Sequence, residues 1–147
     1  MNKNSIRNEL PLKEGVCDTN KTCILFISEN ELECEIAFDM LESFGYTTIV
    51  SSNEKHALDI FCRFRKMLDV VIIDMAMSKR NGLEIFEAMR RISPKVRAIL
   101  SSDNTIPNTV LKQVNQAVLG FVQKPYNKTE LSQKLDEIIR EDPISSL

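Results

Sequence analysis

The sequence lacks the features of a membrane protein, an exported protein or a protein that binds polyanions. Its longest apolar runs, at residues 70–73 and 117–122, are much shorter than the roughly 18 residues that a membrane-spanning helix needs. Residues 1–20 contain no apolar core of a signal peptide. The net charge of -2 leaves no basic excess for nucleic acid. We therefore expect a cytoplasmic protein that binds neither a membrane nor nucleic acid.

Cysteine and glycine are sparse, which removes further classes of protein. The four cysteines, Cys17, Cys23, Cys34 and Cys62, have no CxxC spacing and no nearby histidine, so they indicate neither a metal site nor a redox motif. We expect reduced, mostly buried thiols. The four glycines form neither GxGxxG nor GxxxxGK[ST], so a nucleotide- or flavin-binding α/β domain would have no loop to hold a phosphate.

The length of 147 residues fits one domain with a sizeable core. Residues 1–20 show no sustained periodicity and contain Pro11, Gly15 and several asparagines, which is typical of a flexible tail or linker. From Lys21 onward, apolar runs of strand length alternate with amphipathic stretches of helix length. We therefore predict a folded domain over residues 21–142 and a short tail at 143–147.

Five strands and five helices alternate along this domain. The predicted strands are residues 23–27, 47–51, 70–75, 96–101 and 119–123, mostly continuous apolar runs of the kind that both faces of a sheet bury. A weaker helix is predicted around residues 109–115, and Asn127 with Glu130 predicts a helix start. This alternation predicts a parallel sheet with helices on both faces. The other four helices are predicted from apolar stripes: Leu32, Ile36, Met40, Leu41 and Phe44; Ala57, Ile60, Phe61 and Phe64; Ile85, Phe86, Met89 and Ile92; and Leu131, Leu135 and Ile138.

Reactive side chains stand where four of these strands end. Glu29 follows the first strand and Asp74 lies near the end of the third. Ser101 ends the fourth strand, and Lys124 follows the fifth. Parallel strands bring their carboxyl ends to one edge of the sheet, where ligands of open α/β sheets bind. Together these groups suit phosphoryl transfer: a carboxylate can attack phosphorus, and cations and hydroxyl donors stabilise the phosphoryl oxygens. Two acids from different strands can also form part of a Mg²⁺ site.

At these positions the sequence resembles the receiver domains of two-component signalling. The motifs are Asp74 followed by Met77 and Gly82, a strand that ends in Ser101, and the segment 120–126 with its Lys124-Pro125-aromatic ending. The resemblance covers residues 21–142. It implies a flavodoxin-like, doubly wound sheet of five parallel strands in the order 2-1-3-4-5, with helices on both faces.

The resemblance also implies a role for each matching residue. Asp74 would be the phosphoacceptor and Lys124 the counter-ion of the phosphoryl group. Ser101 would move onto the phosphoryl oxygens, and Phe121 would change rotamer with it. The donor would be a phosphohistidine of a histidine kinase or histidine phosphotransfer protein. Beyond its own phosphorylation and dephosphorylation, no conventional enzymatic turnover is expected.

A Mg²⁺ ion is the cofactor that the resemblance implies, held by Glu29, Asp74 and the backbone carbonyl of Ala76. The sequence departs from the family at two nearby positions. Ser28 stands where the family usually has a second acid, so we expect weaker Mg²⁺ binding. Ser78 replaces a proline of the family, which predicts a looser loop after the third strand.

Several alternatives remain open at this point. The chain could be a degenerate receiver that binds proteins without phosphorylation, a free-standing receiver, or the receiver of a hybrid histidine kinase. A metal-dependent phosphatase with Asp74 as nucleophile is a further possibility, although Ala76 is not the general acid that it would need. Residues 141–147, which follow the fifth predicted helix, are too few for an output domain, so signalling is expected through a downstream protein unless the chain is a piece of something larger. The expected contact or homodimer face is formed by the fourth helix, fifth strand and fifth helix.

Overall fold

The computed structural model describes residues 21–79, 81–103, 119–125 and 127–140. The predicted helix around residues 109–115 and the two predicted tails lie outside these residues. No helix in the described ranges is both long enough and apolar enough to cross a membrane. The elements are β1 (Cys23–Ile27), α1 (Glu31–Ser43), β2 (Thr47–Ser51), α2 (Glu54–Phe64), β3 (Val70–Asp74), α3 (Gly82–Ile92), β4 (Ala98–Ser102), β5 (Leu119–Gln123) and α4 (Lys128–Arg140).

The five strands form one parallel sheet in the order β2-β1-β3-β4-β5. This is the predicted order, and the doubly wound α/β fold is confirmed. Every residue of β1 and of β3 is buried, as expected for strands that helices cover on both faces. The register pairs Asp74 at the end of β3 with Ser101 near the end of β4, which fixes the position of these two residues at the carboxyl edge.

The core consists of two apolar layers, one on each face of the sheet. Alternate residues of β1 belong to different layers because successive strand residues point to opposite faces. Leu25 and Ile27 pack with the buried side chains of α2 and α3. Ile24 and Phe26 pack with those of α1 and α4. The sheet is therefore held rigid from both sides, and its carboxyl edge is a fixed platform.

Helix α1 buries only part of the apolar stripe that its sequence pattern predicts. Its buried residues are Cys34, Ala37 and Leu41, whereas Leu32 is 64% and Ile36 50% exposed. The predicted stripe was therefore wrong for Leu32 and Ile36. The helix is apolar on two sides, and the side with the small residues Cys34 and Ala37 packs against the sheet.

The described helices begin in the same way, at the edge where the strands end. Each follows an asparagine whose side-chain oxygen accepts a hydrogen bond from the backbone N–H three residues later, which satisfies one free donor of the first turn. The predicted start of the last helix, Asn127 with Glu130, is confirmed. The four capping residues are Asn30, Asn53, Asn81 and Asn127.

Gly82 brings the start of α3 directly against the end of β3. A Cβ atom at this position would lie 2.6 Å from the carbonyl oxygen of Asp74, which belongs to the backbone and cannot rotate away. The Gly82 N–H also donates a hydrogen bond of 3.2 Å to the carbonyl of Met75. The absence of a side chain at Gly82 therefore determines how closely α3 approaches the strand that carries Asp74.

We predict that Gly82→Ala destabilises the domain by about 2 kcal/mol, because the helix must move away from the β3 backbone. Urea unfolding followed by circular dichroism measures this loss. Gly45→Asn is the comparison: a Cβ added there would meet no described atom within 4 Å, so the cost at its φ of 94° is backbone strain without a clash, expected to be about 1 kcal/mol for asparagine. An equal loss in both variants would contradict the steric explanation.

Candidate functional site

Asp74 is the last residue of β3, and its carboxylate is held by three donors. Its side chain lies at the carboxyl edge, and the residue is only 5% exposed. Oδ1 accepts a hydrogen bond of 3.0 Å from the backbone N–H of Ala76. Oδ2 accepts from the Lys124 ammonium at 2.9 Å and lies 3.2 Å from the Ser28 hydroxyl. The carboxylate is therefore fixed in orientation and close to a cation.

Lys124 follows β5 and binds two carboxylates at once. Its Nζ lies 2.9 Å from Asp74 Oδ2 and 2.8 Å from Glu33 Oε1. The lysine side chain is 8% exposed, and those of Asp74 and Glu33 are 6% and 26% exposed. Charge-assisted hydrogen bonds between side chains with so little solvent exposure are stronger than those at the surface. One ammonium thus links the ends of β3 and β5 to helix α1.

Ser28 is completely buried between the two carboxylates. Its Oγ lies 3.0 Å from Glu33 Oε2 and 3.2 Å from Asp74 Oδ2, and it accepts a hydrogen bond from the N–H of Asn30. A serine hydroxyl carries a single proton, so the two carboxylates share one donor. Ser28 connects the acids but adds no charge of its own.

Glu33 is the residue at this edge that the sequence analysis missed. Prediction considered only residues at strand ends, whereas Glu33 comes from the first turn of α1. The sequence does contain a signal: an acid three residues after a capping asparagine can point back across the start of the helix. In α3, Glu84 does this and accepts from the N–H of Asn81. In α1 the equivalent N–H, that of Asn30, binds Ser28 instead, and the Glu33 carboxylate is left to bind Lys124.

Ser101 lies beside Asp74 and has a hydroxyl for which the described residues offer no partner. The two residues are opposite each other in the β3–β4 register, so their side chains project from the same face. Ser101 is fully buried, and its Oγ has no hydrogen-bond partner among the described residues. An unpaired buried hydroxyl costs about 1–3 kcal/mol. This donor can therefore gain energy from an acceptor that enters the site.

Glu29 is exposed, and both of its carboxylate oxygens bind Ser78. Oε1 accepts from the Ser78 N–H at 2.9 Å and Oε2 from the Ser78 hydroxyl at 2.7 Å. Glu29 also lines a cavity of about 470 Å³ together with Lys55 and Lys79. A proline in place of Ser78 would have no N–H to donate. It would have no hydroxyl either, so the family's usual proline would remove both of these bonds.

Phe121 lies on β5, opposite Leu100 of β4. It is partly buried and packs against the apolar layer beneath α2 and α3. Leu100 directly precedes Ser101, so the Phe121 ring lies on the strand next to the one that carries Ser101. A change of the Phe121 rotamer would alter the packing of side chains on the face of the sheet next to β5.

The Cys34 thiol lies below the site and donates a hydrogen bond of 3.3 Å to the carbonyl of Ser28. Burial raises the pKa of this thiol to about 12, and the negative charges of Glu33, Glu31 and Asp74 act in the same direction against the Ser28 hydrogen bond, which lowers it. Cys34 is therefore a protonated structural thiol at neutral pH and not a nucleophile.

The donor atoms at this edge fit a magnesium ion. The described residues contain no group of three or more His, Cys, Asp or Glu side chains placed to hold a metal. Mg²⁺ does not need such a cage, because it keeps several waters and uses one or two carboxylates. Asp74 and Glu33 already hold one cation, the Lys124 ammonium, between them. The acidic and hydroxyl groups gathered here offer oxygen atoms, which Mg²⁺ prefers.

The fold and this edge define a flavodoxin-like α/β domain with a carboxylate–lysine site at the carboxyl ends of its strands. The family model of the response regulator receiver domain matches residues 24–136. The chain therefore belongs to the response regulator receiver domain family. Proteins of this family act in two-component signal transduction, interact with histidine kinases or phosphotransfer proteins and with downstream targets, and generally use Mg²⁺ for phosphorylation.

Individual relatives agree with this assignment. The transcriptional regulatory protein GlrR of Escherichia coli K12 is 28% identical over 102 residues, which are 69% of this chain and 22% of that protein. The chain thus spans about a fifth of the length of this relative. A receiver domain structure from Clostridium thermocellum has 26% identity and a TM-score of 0.73, with 80% of this chain and 94% of that chain covered. A Borrelia burgdorferi structure described as a CheX-CheY-BeF3-Mg complex shares the fold, with 16% identity and a TM-score of 0.75. The match covers 82% of this chain and 90% of that chain.

We predict that Cys34 resists alkylation in the native protein while the exposed Cys62 reacts readily. With a pKa of about 12, only about one Cys34 thiol in ten thousand is ionised near pH 8. Peptide mapping after a short iodoacetamide treatment measures the modification at each cysteine. The urea-unfolded chain is the control, because unfolding removes the burial that protects Cys34. Equal rates at Cys34 and Cys62 in the native protein would contradict the assignment.

Proposed function

We propose that Asp74 accepts a phosphoryl group from a phosphohistidine of a partner protein. A carboxylate oxygen of Asp74 attacks phosphorus, a P–O bond forms, the P–N bond to the histidine breaks, and the imidazole leaves with the electron pair of that bond. The observation that carries this proposal is the contact of 2.9 Å between Asp74 Oδ2 and the Lys124 ammonium. It combines a fixed carboxylate with a cation at the place where phosphoryl charge would develop.

Lys124 and Ser101 are proposed to stabilise the phosphoryl group. Phosphoryl transfer concentrates negative charge on the oxygens around phosphorus, so catalysis depends on cations and donors placed around them. The Lys124 ammonium is already within contact distance of Asp74. The buried Ser101 hydroxyl, unpartnered in the described part of the chain, is the second available donor. The positions of these two groups support the proposal that the site accommodates an anionic phosphoryl group on Asp74.

Glu29, Asp74 and the carbonyl of Ala76 are proposed to hold Mg²⁺. The ion would neutralise part of the charge on the phosphoryl oxygens. For Glu29 to take part, its carboxylate must exchange its bonds to Ser78 for bonds to the metal. We further propose that the site binds Mg²⁺ more weakly than a receiver with an acid at position 28, because the Ser28 hydroxyl carries no charge.

Output is proposed to run through protein contacts of residues 21–142. The proposed contact or homodimer face comprises the helix predicted around residues 109–115, β5 and α4, and no nucleic acid is expected to bind there. Phe121 supports this direction because it lies on β5, opposite the residue that precedes Ser101. Successive residues of β4 point to opposite faces, so a shift of Ser101 toward a phosphoryl group would reach the Phe121 ring through the β4 backbone next to Leu100 and allow the ring to repack.

We predict that Asp74→Asn abolishes formation of a base-labile phosphoprotein without unfolding the domain. The amide keeps the size of the side chain but is not a nucleophile toward phosphorus. The full chain is treated with acetyl phosphate and Mg²⁺, and intact mass spectrometry measures the addition of one phosphoryl group.

Asp59→Asn is the matched control, because Asp59 lies on the exposed surface of α2 and pairs loosely with Arg63 at 3.8 Å. This variant is expected to be phosphorylated like the wild type. Phosphorylation of Asp74→Asn at the wild-type level would refute Asp74 as acceptor. If the wild-type chain forms no phosphoprotein with any donor, the degenerate, protein-binding alternative is correct.

We predict that Ser28→Asp tightens Mg²⁺ binding about tenfold, because it adds a negative charge within a few ångströms of Asp74. Isothermal titration calorimetry with MgCl₂ measures the dissociation constant. Ser28→Asn is the control, since it has nearly the same size as aspartate and no charge. Equal affinities of the two variants would show that the neutrality of Ser28 does not limit metal binding.

A further inference from the structure

We propose that Glu33 supplies the second acid of the divalent-cation site, in place of the neutral Ser28 at the end of β1. This inference rests on the proposed use of a divalent cation at Asp74. It concerns a residue of α1 that lies outside every motif of the site and that the metal ligands proposed above do not include.

The two oxygens of Glu33 are both directed into the site. Oε1 lies 2.8 Å from the Lys124 ammonium, and Oε2 lies 3.0 Å from the Ser28 hydroxyl. Neither contact serves the helix start, since the N–H of Asn30 is bound to Ser28. The neighbouring Glu31 has the same chemistry and lies on the same turn, but it is exposed. The carboxylate of Glu33 is thus held where an acid at position 28 would act.

The charge balance shows what Glu33 contributes. Asp74 and Lys124 form an ion pair whose charges cancel, and Ser28 is neutral. Without Glu33, these three groups would have no net charge, and the surplus negative charge for a divalent cation would come from Glu29 alone. With Glu33 they have a net charge of one negative unit. A carboxylate and a divalent cation a few ångströms apart attract each other even at the dielectric constant of water, strongly enough to change the affinity about tenfold.

The cluster suits a positively charged group, and one observation outside the cluster itself points to a ligand. A cation, the Lys124 ammonium, already lies between Glu33 and Asp74, so the two carboxylates converge on one positive charge. In addition, Ser101 faces the same edge with a fully buried hydroxyl that no described residue satisfies. The ion pairs alone do not account for this donor, which has no acceptor in the described part of the chain. A ligand that enters beside the acids would supply one.

The test is a calorimetric titration of the full chain with MgCl₂, in which no phosphodonor is present. Glu33→Gln is expected to weaken Mg²⁺ binding about tenfold through the loss of one nearby charge. Glu31→Gln removes the same charge from an exposed position of the same helix and is expected to stay within about twofold of the wild type. The double variant Glu33→Gln/Ser28→Asp returns an acid to the site and is expected to restore most of the lost affinity.

Each outcome decides the inference separately from the proposed function. If Glu33→Gln binds Mg²⁺ like Glu31→Gln, or more tightly than the wild type, Glu33 is not an acid of the metal site and the inference is wrong. Failure of Ser28→Asp to rescue the double variant contradicts it as well. Asp74→Asn is titrated in parallel: if this variant keeps the wild-type affinity, the metal does not bind at Asp74 and the proposed function fails. Amide NMR spectra of each variant verify the fold.

Discussion

The site depends on one ion-pair arrangement, the Lys124 ammonium shared by Asp74 and Glu33. Its three side chains come from the ends of β3 and β5 and from the first turn of α1, so a single cation connects elements that lie far apart in the chain. A lysine with 8% of its side chain exposed requires nearby negative charge, because an unpaired buried ammonium is strongly destabilising. The two apolar layers hold the strand ends rigid, and this rigidity makes so close an arrangement possible.

Much of the fold could be predicted because its signal is local. Continuous apolar runs identify strands covered on both faces, and their alternation with helices implies the parallel sheet. The predictions differ from the structure where a residue is buried without belonging to a strand, or where an apolar helix residue is not buried. Val96 is buried, yet its N–H closes a turn onto Ser93 and the strand begins only at Ala98. In α1, apolar residues lie on two sides, and only packing decides that Cys34 and Ala37, rather than Leu32 and Ile36, face the sheet.

The site was predictable in part for a related reason. Asp74, Ser101 and Lys124 lie at or just after strand ends, and topology alone brings strand ends together. Glu33 depends instead on a competition between hydrogen bonds: the Asn30 N–H binds Ser28 in α1, whereas the equivalent N–H of Asn81 binds Glu84 in α3. Two similar cap sequences thus give different partners for their glutamates. The sequence contains both glutamates, but it does not indicate which donor each will bind.

The site also combines a surplus of acceptors with a donor that lacks one. The single proton of Ser28 is shared by two carboxylates, whereas the hydroxyl of Ser101 finds no acceptor within the described residues. Such an imbalance costs free energy, and the well-packed sheet can bear it because its core does not depend on these groups. In the proposed function, an anion on Asp74 would provide the acceptor for Ser101 and a stronger partner for Lys124. The free energy of these new contacts, which the resting site does not make, would then favour a second arrangement of the site. Such a second arrangement is the physical requirement for a switch.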